Sequence, residues 1–385
     1  MNDVPLLMIL GSLALLVRVG MAWYATGLSR SKNAAGAVLR NVLDFCVATL
    51  AFWAIGAAVC FGDRGLVSDI GRRFGANTFF HLVLVLFASA VPIGSAGERS
   101  KLLPLGAISF LMAGVIVPVS MHWAWTGWLA HLRFVDAAGA SAIHLAAGMS
   151  ALSVAVLVGP RTGKYNRDGS SNMIPGHSMP LASVGVMMLL VAWLPYVIGA
   201  SATRGFFTSM PANVLLAAAA GGLAALASSM LRYGKPDVVL IYSGLLGALV
   251  AITGAANVLP TWGAVLVGAV AGVVIPYAMV QIDLRFKVDD PAGAVAIHGL
   301  GGLLGTLVPG IYGFRQLGVQ ALGALAIAAL ALLGTAGLLV VLKKTIGIRS
   351  KEADEFDGLD LAEHDLNAYP DFQQTTIKSY HLREA

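Results

Sequence analysis

The stretch DAAGASAIH, residues 136–144, recurs almost letter for letter as DPAGAVAIH, residues 290–298. Seven of the nine positions agree, and each copy begins with an aspartate and ends with a histidine. Both copies run into long apolar stretches, where an ionisable side chain is costly and tends to face a cavity, a pathway or a partner. A motif that is doubled in this way predicts a fold built from two related halves.

The composition around the two copies indicates a polytopic membrane protein. Of the 385 residues, 57% are hydrophobic and only 12% are charged, against about 25% charged in an ordinary globular chain. The apolar runs are about 20 residues long, which is the length that a helix needs to cross a bilayer. They do not alternate in polarity as the strands of a membrane barrel do. We therefore predict an all-α membrane protein.

Eleven apolar runs mark the predicted transmembrane helices. Their approximate limits are 5–28, 41–61, 78–96, 103–122, 138–159, 180–199, 209–231, 237–253, 262–281, 291–310 and 320–342. The two copies of the motif fall in the fifth and tenth runs, and an odd number of crossings inverts the orientation of the second copy. The prediction is therefore two inverted five-helix repeats, roughly residues 5–159 and 180–310, followed by a final helix at 320–342.

Basic residues in the loops set the predicted orientation. The loops on the side of the SRSKN turn, residues 29–33, carry fourteen lysine and arginine residues, and the opposite loops carry six. Because basic loops stay in the cytoplasm, the amino terminus is predicted to lie outside and the carboxyl end inside. The first run lacks the basic start of a cleavable signal peptide and is predicted to be retained as a span.

The two histidines are the strongest candidates for a functional site. Each lies eight residues after its aspartate, about 12 Å along a helix, so His144 and His298 are predicted to converge near the middle of the membrane. A single buried histidine is often only a polar contact between helices. Two at matching depths favour a pathway, because neutral imidazole offers one donor and one acceptor. Asp136 and Asp290 either cap their helices or attract a cation.

The character of the sequence changes after residue 344. Residues 345–385 are rich in acidic side chains and are predicted to form a cytoplasmic tail, separate from the membrane domain of residues 1–344. Composition alone allows a disordered, solvating end, but the mixture of apolar and polar residues in DGLDLAEHDLNAY, residues 357–369, suggests docking. The short basic loops satisfy the topology and need no nucleic-acid partner.

At these residues the sequence resembles the ammonium transporter (Amt/Rh) family, in its Amt branch, over essentially the whole chain. The resemblance is carried by GLSRSKN at 27–33, GERS at 97–100, DAAGASAIH, VDDPAGAVAIHG at 288–299 and DGLDLAEHDLNAY at 357–369. It implies a homotrimer in the inner (plasma) membrane, in which each subunit is an eleven-helix bundle with its own pore between the two halves. No enzyme activity, cofactor or metal is predicted, since the sequence shows no nucleophile with its base and no phosphate loop.

The resemblance also implies a mechanism and assigns roles to residues. His144 and His298 would form the proton-relaying pair of the pore, and Asp136 and Trp125 would belong to the outer site that recruits ammonium. Ammonium would be captured outside, give up a proton and pass as NH₃, with the proton following separately in electrogenic members. Gly358, Leu359, Asp360 and Tyr369 would belong to a regulatory tail, and a PII-type signalling protein would meet that tail.

The sequence departs from the family pattern at the gate and at the outer site. The two phenylalanines that close the family's pore align with Leu84 and Tyr196, and Phe80, one turn before Leu84, could supply one ring. The serine that binds ammonium aligns with Ala200, although Ser201 follows it directly. These changes leave open a sensor that binds ammonium but conducts poorly. A neutral gas channel of the Rh type is a third possibility, which the Amt-like tail disfavours.

Two further polar residues lie in the apolar runs. Arg18 is midway through the first run and is predicted to snorkel or to form an ion pair at the trimer interface. His81, beside Phe80, is predicted to be a buried or interfacial histidine with satisfied hydrogen bonds rather than a second relay.

Overall fold

The computed structural model describes residues 4–62, 74–202, 209–313 and 316–370. Eleven apolar helices fill these ranges: α1 (Val4–Leu28), α2 (Ser31–Phe61), α3 (Ala76–Ser95), α4 (Leu102–His131), α5 (Ala140–Val158), α6 (Met179–Ser201), α7 (Met210–Tyr233), α8 (Val238–Thr253), α9 (Thr261–Leu284), α10 (Val295–Gly313) and α11 (Leu317–Thr345). All but the shorter α8 are long and apolar enough to cross a membrane. The prediction of eleven apolar helices is confirmed.

Several helices are longer than the apolar runs that predicted them. The second begins at Ser31 rather than near residue 41, and the fourth continues to His131 rather than ending near residue 122. An apolar run shows which residues lie in the hydrocarbon layer of the membrane. The backbone hydrogen bonds of a helix can continue beyond that layer into polar surroundings. Five of the arginines counted in the opposite loops lie outside the described residues: Arg64, Arg72, Arg73, Arg204 and Arg315.

Each copy of the doubled motif builds the start of a helix. Gly139 and Gly293, at the same position of the two copies, have φ angles of +98° and +66°, a left-handed conformation that glycine adopts without steric cost. Each histidine then lies in a wide π-helical turn, Ala140–Leu145 in one copy and Val295–Leu300 in the other. The shared letters therefore encode a shared backbone, and turns of this kind are frequent at functional sites.

The helices α5 and α10 cross in direct backbone contact. A Cβ atom on Gly148 would lie 2.0 Å from the backbone nitrogen of Gly299, so only glycine permits the crossing. Gly148 lies one turn after His144, and Gly299 directly follows His298. The crossing therefore sets the two histidines side by side.

Arg18 forms an ion pair inside the bundle. Its guanidinium lies 2.7 Å from the carboxylate of Asp44 on α2 and donates to the main-chain oxygens of Leu86 and Asn41 at 2.9 and 2.8 Å. Ser89 donates to the same carboxylate at 3.0 Å. Arg18 therefore does not snorkel. Its predicted ion pair is present within the chain, and its place at a trimer interface stays a prediction. A neighbouring helix of the same chain supplies the counter-charge, which a buried guanidinium needs and which sequence spacing did not reveal.

After α11 the chain turns back onto the bundle in two short helices, α12 (Glu352–Asp357) and α13 (Leu359–His364). We call the end of the bundle that they cover the tail side, and the other end the opposite side. The remaining tail residues, 371–385, lie outside the described residues.

Candidate functional site

His144 and His298 meet in the interior, where α5 and α10 cross. Their Nδ1 atoms are 3.1 Å apart, and their rings are stacked with centroids 5.2 Å apart and planes 22° from parallel. His144 is fully buried, and His298 is 6% exposed. Because a neutral imidazole has one N–H and one bare nitrogen, one ring donates to the other, and the pair can share a proton.

Two aromatic side chains enclose the histidine pair. The ring of Phe87 meets both imidazoles edge-on, with centroid distances of 5.2 Å to His144 and 6.0 Å to His298. Trp193 stacks on His144 at 5.2 Å, with an angle of 10° between the planes. The sequence reasoning missed both residues. Their position could have indicated them, because each lies three residues from a predicted gate residue on the same helix. Aromatic side chains at helical spacing are, however, usually ordinary core residues.

Of the three predicted gate residues, Tyr196 reaches the histidine pair. Its hydroxyl oxygen lies 3.2 Å from Nε2 of His144. Phe80 packs against α6, where a Cβ atom on Gly199 would lie 2.3 Å from its ring. Leu84, which lies between Phe80 and Phe87 on α3, is buried in the core. Phe80 therefore packs on the backbone of α6, and Tyr196 places a polar phenol next to the histidine pair.

Of the residues predicted for the outer site, the structure brings Trp125 and Asp136 into contact on the opposite side. The indole Nε1 of Trp125 donates to the main-chain oxygen of Asp136 at 3.0 Å, and the Trp125 ring packs against His81 with centroids 5.7 Å apart. Ala200 and Ser201 are buried on α6, and the Ser201 hydroxyl has no hydrogen-bond partner among the described residues. His81 is buried and bonded through Nδ1 to the Asn77 main-chain oxygen at 2.8 Å.

The carboxylate of Asp136 caps the start of α5. Its partners lie 2.5 to 3.1 Å away and are the backbone nitrogens of Gly139, Ala140, Ser141 and Ala142 and the hydroxyl of Ser141. Of the two roles that the sequence left open, the geometry supports capping. The main-chain oxygen of Asp136 accepts from Trp125, the other residue that the resemblance assigns to the outer site.

Asp290 caps the start of α10 in a different way. Its carboxylate accepts from the backbone nitrogen of Val295 at 2.7 Å and from the hydroxyl of Ser95 at 2.7 Å. Burial raises the pKa of Asp290, and these two hydrogen bonds oppose the rise only in part. The second copy of the motif is therefore bonded to the end of α3 as well as to its own helix.

Two small cavities lead from the histidine pair toward the tail side. The first, of about 20 Å³, is lined by His298, Tyr24 and Asn41, with apolar walls, and has room for about one water-sized molecule. The second, of about 30 Å³, shares the Asn41 wall and extends to Glu98 near the tail. The hydroxyl of Tyr24, which the sequence reasoning missed, is buried and has no hydrogen-bond partner among the described residues. A small polar solute in the first cavity could satisfy it.

A network of buried charges closes the tail side around the GERS stretch. The carboxylate of Glu98 is paired with Arg30 and Arg161, and Arg161 also pairs with Asp289 at 2.9 Å. Burial alone would raise the pKa of Glu98, but the two guanidinium groups outweigh it and lower that pKa. The pKa of Asp289 falls to about 2, because bonding to Arg161 and the charge of Arg99 outweigh burial. Both carboxylates are therefore ionised at neutral pH.

The start of α13 is bonded to the start of α2. The carboxylate of Asp360 accepts from the backbone nitrogens of Ala35 and Gly36 at 2.8 and 2.7 Å. The backbone nitrogen of Leu359 is bonded to Asn33, and Gly358 has a φ angle of +107°. The carboxylate thus satisfies donors that the first turn of a helix leaves free.

Three further contacts attach the tail to the body. Glu363 pairs with Arg40 at 2.9 Å, and Arg40 lines the second cavity. The hydroxyl of Tyr369 lies 2.8 Å from Nε2 of His177. Glu355, itself buried, accepts from the hydroxyl of Thr162 at 2.9 Å. These contacts dock the tail, and two of its residues, Leu359 and Glu363, bond to Asn33 and Arg40, which line the second cavity.

The chain matches a known family along almost its whole length. The model of the Ammonium Transporter Family matches residues 6–369. Ammonium transporter Amt2 of Archaeoglobus fulgidus is 33% identical, over 95% of this chain and 87% of that protein. Ammonium transporter Amt1 of Haloferax mediterranei is 30% identical, over 95% and 79%.

Solved structures show the same fold. A protein titled Sensor Amt Protein superposes with a TM-score of 0.88 at 31% identity, over 94% of this chain and 98% of that one. Mep2 of Candida albicans superposes with a TM-score of 0.82 at 24% identity, over 96% and 90%. At this identity the second likeness shows the fold alone. With its apolar helices and these relatives, the chain is a multi-pass membrane protein, and it belongs to the ammonium transporter family, which is a family of membrane transporters and not of enzymes.

Proposed function

We propose that this protein carries ammonium nitrogen across the cell's inner membrane, and that ammonium gives up a proton before it passes the histidine pair as NH₃. The observation that carries the proposal is the 3.1 Å contact between the Nδ1 atoms of His144 and His298. The contact lies in the interior, at the head of two cavities that lead to the tail side.

The surroundings of the pair favour a neutral solute. The first cavity has room for about one water-sized molecule, so a cation could not keep its hydration shell there, and a bare charge in an apolar site costs several kcal/mol. Ammonia is close to water in size and keeps one acceptor and three donors. Potassium cannot lose its charge in this way and would be held back. The released proton would follow along the imidazoles, which makes uptake electrogenic.

The finer features of the family resemblance belong to the same proposal. The protein would be a homotrimer, with the amino terminus outside and the tail in the cytoplasm, as the basic loops indicate. A PII-type signalling protein would act through the tail. The Glu363–Arg40 pair supports this route, since a partner that pulls on α13 would withdraw the counter-charge from a wall of the second cavity.

A second candidate is an ammonium sensor with weak or no conduction. The Tyr196 hydroxyl is in contact with Nε2 of His144, and Ala200 stands where the resemblance expects a serine. One relative of known structure is titled Sensor Amt Protein. A site that holds ammonium but does not pass it would suit these features.

Ammonium pulses on liposomes attached to a solid-supported membrane separate the candidates. The wild-type protein should give a sustained current, and His144→Ala and His298→Ala should each reduce it by about 100-fold, as the loss of a positioned proton acceptor does elsewhere. His122→Ala, a half-buried histidine on the opposite side, is the matched control and should keep the current. Potassium pulses should give none.

Any other result of these pulses leads to a different conclusion about the function. Ammonium binding without current would favour the sensor, and ammonia uptake without charge movement would favour the gas channel. A wild-type current that survives both histidine substitutions would contradict the proposed passage.

A further inference from the structure

The phenol of Tyr196 contacts two polar atoms beside the histidine pair. Its oxygen lies 2.5 Å from the main-chain oxygen of Ala138 and 3.2 Å from Nε2 of His144. The side chain is 1% exposed, and the rings of Phe87 and Trp193 hold it edge-on, with centroids 5.6 and 5.7 Å away. Packing therefore fixes the direction of the hydroxyl group.

These two contacts assign the proton on His144. A phenol has one proton, and a carbonyl oxygen can only accept, so the shorter contact is donated by Tyr196 to Ala138. In the longer contact the imidazole must then donate through its Nε2–H. In a neutral histidine the hydrogen bond at one nitrogen decides the state of the other. His144 therefore carries no proton on Nδ1.

The tautomer of His298 follows from that of His144. A bare Nδ1 on His144 can only accept, so the 3.1 Å contact is donated by Nδ1–H of His298. The lone pair of His298 is then on Nε2, and His298 is the histidine that lines the first cavity. The hydrogen bonds thus run in one direction, from His298 through His144 and Tyr196 to Ala138.

We propose that Tyr196 is a positioning residue that fixes the tautomers of both histidines and turns the accepting end of the pair toward the tail side. The inference deepens the proposed function, on which its meaning for transport rests. A phenylalanine at this position could make neither hydrogen bond and would leave the tautomers free to exchange.

The arrangement also limits how far a proton can travel. A proton that reaches Nε2 of His298 from the tail side would bind there, and His298 could then release its Nδ1 proton to Nδ1 of His144. For the next step, His144 would give its Nε2 proton to the phenol oxygen, and Tyr196 would have to give its own proton to the Ala138 carbonyl. An amide carbonyl is far too weak a base for that. The relay therefore ends at Tyr196 while the phenol keeps its carbonyl contact.

Solid-state ¹⁵N spectra of histidine-labelled protein in liposomes test the assignment, because protonated and bare ring nitrogens give well-separated signals. The wild-type protein should show a bare Nδ1 on His144 and a bare Nε2 on His298, with the signals assigned by their loss in His144→Ala and His298→Ala. In Tyr196→Phe the ratio of the two His144 tautomers should shift by about two- to tenfold, the net worth of one hydrogen bond.

Tyr242→Phe is the matched control, since its phenol contacts Ser183 on a neighbouring helix; it should leave the histidine signals unchanged. A wild-type His144 with its proton on Nδ1, or an unchanged tautomer ratio in Tyr196→Phe, would overturn the inference.

Ammonium-pulse currents provide an independent reading. Tyr196→Phe should raise the current by about two- to tenfold, since the hydrogen bond that holds the relay in one direction is lost, and an equal or smaller current would overturn the limiting role. If the wild-type protein gives no current at all, the transport proposal fails while the spectra still decide the tautomers.

Discussion

The two copies of the doubled motif share a backbone and differ in what surrounds them. In the first copy the hydrogen bonds found for the Asp136 carboxylate all lie within the start of α5, and His144 is fully enclosed. In the second copy Asp290 also bonds to Ser95 of α3, and His298 lines a cavity. The inverted repeat thus provides two equivalent positions for a histidine. The residues packed around each position then make the two histidines of the pair different from each other.

The largest effect is expected where the two copies touch. In Gly148→Ala the new Cβ atom would lie 2.0 Å from the backbone nitrogen of Gly299, and two packed helices would have to separate. We expect a loss of more than about 4 kcal/mol in stability, seen as a lower unfolding temperature in detergent, together with loss of the contact between the histidines.

Gly299→Ala is the matched control for this crossing. Its Cβ atom would come no closer than 3.6 Å to Gly148, an ordinary contact, so the unfolding free energy should change by less than about 1 kcal/mol. Equal effects of the two substitutions would contradict the asymmetric crossing.

A smaller effect should distinguish the two caps. Asp136→Ala removes a buried carboxylate that accepts several charge-assisted hydrogen bonds and should lower the unfolding free energy by about 3 kcal/mol. Asp290→Ala removes two such bonds and should cost about 1–2 kcal/mol. Thermal unfolding of the purified variants measures both, and a larger loss for Asp290→Ala would reverse the comparison.

The smallest effect is a pH dependence that belongs to the second copy. Burial raises the pKa of Asp290 above its ordinary value of 3.8, so the folded protein binds this proton more tightly than the unfolded chain. Stability should therefore fall as pH rises above that ordinary value, until it passes the raised folded-state pKa. In Asp290→Asn the decline should be weaker, as measured by unfolding temperature between about pH 4 and 6.

Asp168→Asn is the control for this prediction. The pKa of the exposed Asp168 is lowered, chiefly by hydrogen bonding to Ser170. Its effect on stability therefore lies below its ordinary pKa, and the dependence of unfolding temperature on pH above that value should stay as in the wild-type protein. If the unfolding temperature of Asp290→Asn depends on pH as strongly as that of the wild-type protein, the raised pKa is ruled out.

The sequence was sufficient for the features that depend on pattern. The apolar runs predicted eleven helices, because twenty apolar residues in a row have few other structures available. The doubled motif placed His144 and His298 at matching depths in opposite halves, and the structure brings them together. Residue spacing along a helix carried both predictions.

The sequence could not predict contacts that depend on which helices are neighbours. The contact of Phe87 with both imidazoles requires the position of α3, and the pairing of Arg18 with Asp44 requires the packing of α1 on α2. The sequence placed Tyr196 at the gate as a changed residue, but its bond to His144 depends on the carbonyl of Ala138. Such contacts are set by tertiary packing and leave no periodic signal.

The proposed function depends most on a hydrogen-bonded histidine pair that meets the transported molecule. The most direct test is the coupling between the two Nδ1 nuclei in ¹⁵N-histidine-labelled protein in liposomes, recorded before and after ammonium chloride is added, with potassium chloride as the control. We predict a coupling across the 3.1 Å contact of His144 and His298, and signals that respond to ammonium and not to potassium. Uncoupled nitrogens, or a pair that does not respond to ammonium, would contradict it.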